Sequence, residues 1–162
     1  TEVVPVTDLP RIQFVQQSRQ LALAWRLYTV DNQGRVPFAT ENPYDSATRP
    51  TTWVTGKMDW DSGNRSNWDP QVDILNSPLQ SYGARNLELW KCPSDQSFVY
   101  VNGRRLPRLR SRAVNLYVGG YGGLRSAGMN NCRVYLKDTD MTAPGTSELM
   151  VFADVREDSI DF

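Results

Sequence analysis

The stretch from Arg11 to Gly34 constrains this chain more than any other, because it is the one place where apolar residues keep a helical period for several turns. Phe14, Ser18, Leu21, Trp25 and Tyr28 follow one another at alternating steps of four and three. Ala22, Ala24 and Leu27 lie beside them, and Gln13, Gln17, Arg19, Gln20 and Arg26 supply polar flanks. This pattern predicts an amphipathic helix over 11–34, capped by Asp8, with Pro10 in the first turn and Asn32 and Gly34 ending it. A helix of that length reaches roughly 35 Å and needs a surface to lie against. Residues 1–10 read as a tail ahead of it.

The remainder, 35–162, is written in turns and short strands. Pro37, Pro43 and Pro50 keep 35–50 out of any long regular element. Thr51–Met58 has the Thr, Trp and Val content of a short strand, and 73–82 that of one or two helical turns stopped by Gly83. Ser97–Val101 should turn back at Asn102-Gly103, a strong hairpin signal, into a return strand over 106–117. Gly119–Gly128 carries five glycines and reads as a loop. Cys132–Leu136 and Glu148–Asp154 are the last strand candidates, separated by turn chemistry at 142–145. The fold class expected is α+β: a long N-terminal helix packed on an antiparallel β-sheet, with long irregular loops, in a single domain over 1–162.

Composition removes several function classes. Eighteen basic residues balance eighteen acidic ones, so net charge gives no attraction to a polyanion and nucleic acid is not an expected partner. Arg outnumbers Lys fifteen to three, which favours planar and stacking contacts. Histidine is absent, which excludes Ser-His-Asp and Cys-His nucleophiles, His proton shuttles and His-ligated zinc. Most common hydrolase designs are therefore excluded. Cys92 and Cys132 allow either one disulfide, which closes a loop of about forty residues and contributes roughly 3 to 4 kcal/mol by chain entropy, or two separate thiols.

Four groups of side chains carry chemistry worth weighing. Asp59, Asp61, Asn67 and Asp69 space oxygen donors around Gly63 as a hard cation requires, which makes calcium the one cofactor candidate; no Glu stands at the twelfth position, and a solvated turn is the simpler reading. Asp154, Glu157, Asp158 and Asp161 form an acidic group, in which Asp154 is expected to pair with a nearby Arg rather than act in catalysis. Arg108, Arg110 and Arg112 alternate, so on a strand they share one face, expected to meet solvent or carboxylates. Trp60 and Trp68, in polar surroundings, could stack on sugar rings, and a secreted or surface carbohydrate-binding module is the alternative function.

Residues 17–37 also resemble the exit of the long N-terminal helix in pilin-like proteins of the prepilin-cleavage type. Trp53-Val54-Thr55-Gly56-Lys57-Met58-Asp59-Trp60, Leu89-Trp90-Lys91-Cys92-Pro93-Ser94-Asp95, Arg110-Ser111-Arg112-Ala113-Val114-Asn115 and Phe152-Ala153-Asp154-Val155-Arg156-Glu157-Asp158-Ser159-Ile160 follow in the order found in pseudopilin-like proteins of planctomycete and verrucomicrobial type. The likeness spans roughly residues 11–161. It implies a structural subunit of a type II secretion or type IV pilus-like filament. It implies a periplasmic or envelope location, with an inner-membrane anchor that the chain as given lacks, and a prepilin peptidase acting on that anchor. Its partners would be other pseudopilin subunits and the secretion or pilus assembly machinery, met through Arg19, Gln20 and Arg26 on the polar side of the helix.

Overall fold

A computed structural model describes residues 9–42, 44–122, 132–143, 145 and 148–155. Expectations that fall on Asp8, on most of the glycine loop, on Pro144 and on the acidic residues after Val155 lie outside these residues.

The helix, α1, runs Leu9–Asp31. It begins two residues before the expected start and gives way to a turn over 32–34. The stop is built as the sequence suggests: Gln33 and Gly34 take left-handed backbone angles, and the Gly34 amide donates back to Thr29 O at 2.9 Å. Asn32 Nδ2 donates to the Tyr28 carbonyl at 2.8 Å, which satisfies another end group.

Among the described residues, four short strands form two separate antiparallel pairs, in place of the single sheet expected. Phe98–Val101 (β1) pairs with Arg104–Pro107 (β2), and Arg112–Val114 (β3) pairs with Phe152–Asp154 (β4). The first is the hairpin announced by Asn102-Gly103, both of which take positive φ, as a two-residue turn of right-handed twist demands. The expected return strand over 106–117 divides after Arg108, whose amide still follows the β1 register, because the amides beyond it find acceptors in other segments. Arg108 N donates to Ser97 O, Leu109 N to Asn67 O and Ser111 N to Trp90 O, all at 3.0 to 3.1 Å. This extended strut through the interior ties three otherwise distant segments together.

Thr51–Met58 is not a strand; only Thr52 makes a bridge, parallel to Phe38. Cys132–Leu136 likewise yields a single bridge, between Tyr135 and Val118. Much of the intervening chain is 3₁₀ turns: Ser46–Thr51, Arg65–Asn67, Ile74–Asn76, Pro78–Tyr82 and Leu87–Trp90. Polar side chains nucleate most of them, since Asp45, Asn64, Ser77 and Asn86 each accept the amide two residues on.

One hydrophobic cluster joins these parts. Leu21, Ala24, Trp25 and Tyr28 of α1 meet Leu79, Leu89 and Trp90 of the 3₁₀ segments, with Trp53 stacked on Trp90 at 5.5 Å. The helix thus rests chiefly on Pro78–Tyr82 and Leu87–Trp90 rather than on a sheet. Burial of four such apolar side chains contributes about 1.5–3 kcal/mol each for the larger ones, which outweighs helix propensity as the reason α1 persists.

Candidate functional site

The buried residues of α1 are Gln17, Leu21, Ala24, Trp25, Tyr28 and Thr29, a stripe of helical period that includes most of the expected face. Half a turn away lies a second stripe that the sequence reading did not separate. Leu9, Ile12, Val15, Leu23, Leu27 and Val30 are all exposed, Leu23 at 56 % and Val30 at 65 %. Arg19, Gln20 and Arg26 stand exposed beside them. Leu27 and Ala22, expected beside the buried face, belong to this outer one. The signal was present as a repeat over Ile12, Val15, Arg19, Leu23, Arg26 and Val30, offset by half a turn from Phe14 to Tyr28 and broken by the two arginines. A solvated helix normally turns charged and polar groups outward. Here the outward face sets six aliphatic side chains among Gln16, Arg19, Gln20 and Arg26, an unusually apolar mixture for a face turned to solvent.

The arginine strip is inside, not outside. Arg108, Arg110 and Arg112 are each no more than 2 % exposed, so the row does not face solvent; carboxylates do stand near two of them, Asp73 by Arg110 and Asp154 by Arg112. The alternation holds but the face is the opposite one, because the strut crosses the core and its even-numbered side chains have aromatic rings to meet. The three guanidinium groups lie over the rings of Trp60, Trp53 and Phe14 at 4.4, 5.5 and 4.6 Å. Arg110 Nη2 also donates to Gly56 O at 3.3 Å. Burial lowers its pKa to about 10, with nearby Asp73 opposing the shift and Arg108 adding to it. Arg112 Nη1 donates to Ser18 Oγ at 2.8 Å, which fastens β3 to the first half of α1. Burial lowers the Arg112 pKa as well, opposed by Asp154 and Cys92.

Asp154 sits opposite Arg112 in the β3–β4 ladder and accepts the Ser111 hydroxyl at 2.5 Å. The two cysteines are free thiols in different settings, in place of the disulfide. Cys92 is half-buried near Asp154 and Arg112; burial and Asp154 raise its pKa against the lowering effects of the Ser94 amide and Arg112. Cys132 is exposed beside the Tyr117 hydroxyl. Ser111 Oγ accepts the Cys92 amide and donates to Asp154, which holds residue 92 against β3 and β4.

The Asp59–Asp69 loop brings three of the four proposed calcium donors together. Asp59 Oδ1 accepts the Asp61 amide and Asn67 Nδ2, at 2.9 and 2.8 Å, and its Oδ2 accepts Asn64 Nδ2 at 2.9 Å. Asp61 Oδ1 accepts the Gly63 amide at 2.8 Å. Asn67, fully buried, spends its carbonyl on the Asp59 amide and its amino group on Asp59 and the Asp61 carbonyl. Asp69 turns the other way, to Arg65 Nη2 at 2.5 Å. Burial works against ionisation of Asp59, but the donors from Asn67, Asp61 and Asn64, with Lys57 nearby, keep its carboxyl below the usual range. These oxygens face N–H donors, which is the arrangement of an Asx-rich turn.

Trp60 is half-exposed, and its ring carries Arg108 on one face. Trp68 is partly buried, with Nε1 donating to Ser62 O at 3.0 Å. Compared with protein-family models, curated proteins and solved structures, the chain matches none. Its functional reading therefore rests on its own residues. No described helix is long and apolar enough to cross a membrane.

Proposed function

We propose that this chain is the globular domain of a pseudopilin, a structural subunit of a type II secretion or type IV pilus-like filament in the cell envelope, and that it is not an enzyme. The observation that carries the reading is the outer face of α1. Its inner stripe is already buried on the 3₁₀ segments, while Ile12, Val15, Leu23, Leu27 and Val30 remain exposed and offer apolar surface on either side of Gln16, Arg19 and Gln20. Copies stacked through that face meet head to tail, and a heterologous contact that does not close propagates a filament. Arg19 and Arg26, with Gln20, then set register between neighbours through directional hydrogen bonds, while the aliphatic side chains supply burial.

The β pairs and 3₁₀ segments form the head that rides on this rod. An apolar anchor ahead of α1 would hold it at the inner membrane for assembly with other pseudopilins and the secretion or pilus machinery. The absence of histidine supports a structural role, since it removes the common nucleophile and proton-transfer designs.

The test is site-specific photo-crosslinking in the native envelope, with a benzophenone side chain at position 27 and, as a control, at position 100. Position 27 should yield adducts with a second pseudopilin or a second copy; position 100, on the exposed hairpin, should not. Equal adducts from both positions, or none from position 27, would overturn the proposal.

A further inference from the structure

Where the chain leaves α1, an isolated antiparallel bridge pairs Arg35 with Lys137. The hydrogen bonds that close it belong to the flanking residues: Val36 N donates to Leu136 O at 3.1 Å and Asp138 N to Gly34 O at 2.9 Å. A pair flanked in this way is the closely spaced kind, with Cα atoms about 4.5 Å apart and both side chains on one side of the ladder. Two positive charges are thereby set side by side, an arrangement that weakens a ladder unless something negative lies between them. No described carboxylate forms an ion pair with either residue. Asp140, the acid on the same wall, has Oδ2 engaged by the amides of Leu136 and Lys137 at 3.0 and 2.9 Å.

Both cations line a cleft of about 600 Å³ whose apolar wall includes Tyr28, Val36, Phe38 and Leu136. That volume lies within the range of small-molecule sites, which pair apolar walls with a few convergent polar groups. A guanidinium fork beside an ammonium point charge is the donor set that grips a carboxylate or a phosphate. We propose that this cleft binds a small anion: a carboxylate or phosphate head held between Arg35 and Lys137, on an apolar body that lies against Tyr28, Val36 and Phe38. The inference does not depend on filament assembly, since it uses none of the outer face of α1. It also gives a reason for the like-charged bridge, because binding sites commonly retain arrangements that cost stability.

The experiment is an amide NMR titration of the ¹⁵N-labelled chain 1–162 with benzoate, phenyl phosphate, inorganic phosphate and neutral benzamide. Saturable shifts are expected at Val36 and Leu136 with at least one of the two aryl anions, and which one binds identifies the head group. Benzamide and inorganic phosphate should bind at least tenfold more weakly, and R35Q/K137Q should weaken the aryl anion about tenfold, or about 1.4 kcal/mol. Without ligand and at low salt, Arg35→Gln should leave the melting temperature unchanged or higher. The proposal is overturned by no saturable shift at about 10 mM of either aryl anion, by benzamide binding as tightly as the aryl anion that binds, or by unchanged affinity in R35Q/K137Q. A clear fall in the melting temperature of Arg35→Gln would also overturn it, since the pair would then be structural.

Discussion

At the scale of single residues, the buried arginines are the feature that most departs from ordinary globular design. A guanidinium group taken from water needs hydrogen bonds, charge partners or aromatic faces to offset its lost hydration. Arg110 has the Gly56 carbonyl, Asp73 and the Trp53 ring. Asp73 in turn accepts the Thr55 hydroxyl at 2.6 Å and is itself buried. Arg110→Ala removes the cation and strands that carboxylate, so we expect a loss of about 3 kcal/mol in urea unfolding. Arg110→Lys should recover only part of it, because a compact ammonium cannot lie flat on the ring. Gly56 is fixed by the same neighbourhood: its φ is +79°, and a Cβ there would strike the Asp73 carboxylate.

Asp59 gives a pH signature with a definite sign. Its carboxyl titrates below 3.8 in the folded chain, so the unfolded chain takes up the proton first as pH falls. The stabilisation is therefore fully present above the ordinary carboxylate range and is lost as pH drops through the lower folded value. Melting temperature followed from pH 5 to pH 2 should show a steeper acid decline for the parent than for Asp59→Asn, which keeps the acceptor at Oδ1 and loses the charge. Equal slopes would mean that other carboxylates set the acid limit.

At the scale of elements, α1 is two helices in one sequence, a core helix seen from the inside and an exposed, partly apolar one seen from the outside. Leu21, fully buried, and Leu23, more than half exposed, test this within one turn. Leu21→Ala should cost about 3 kcal/mol, by lost transfer energy and a residual cavity. Leu23→Gln should change monomer stability by no more than about 0.5 kcal/mol. Chemical denaturation of both variants checks the pair; comparable losses would mean that the outer face is packed in the monomer.

The same comparison shows what was legible in the sequence. The inner stripe, the helix stop at Asn32–Gly34 and the Asn102-Gly103 hairpin were readable because each depends on local chemistry: period, positive φ and turn type. The strut over 108–112 was not. Arg108, Arg110 and Arg112 alternate as on any surface strand, and only the arrival of Trp60, Trp53 and Phe14 from three distant segments makes the inside the better place for them. The divided sheet was equally hidden, because the acceptors that draw Leu109 and Ser111 away from the β1 edge belong to Asn67 and Trp90. In the candidate site, Arg19, Gln20 and Arg26 were placed on the outer face from the sequence. The larger aliphatic part of that face was masked by the low contrast between the two sides of α1.

At the scale of the whole molecule, the architecture separates two tasks. The 3₁₀ segments, the strut and the two strand pairs close one hydrophobic cluster around the inner side of α1, and leave its outer side available. A chain that needed only to be stable could place Glu and Lys at positions such as 23 and 30, which are more than half exposed. Apolar residues there make sense when the helix lies against further copies or partner subunits. The cleft at the C-terminal end of α1 is spatially separate from that face in its lining residues and can be tested alone.

The most direct measurement is sedimentation equilibrium of the chain 1–162 over a wide concentration range, beside the variant L23E/L27E. The account predicts concentration-dependent self-association of the parent, abolished in the variant, with both melting at the same temperature to within about 2 °C. A parent that stays monomeric at millimolar concentration, or a variant that associates as strongly as the parent, would contradict it.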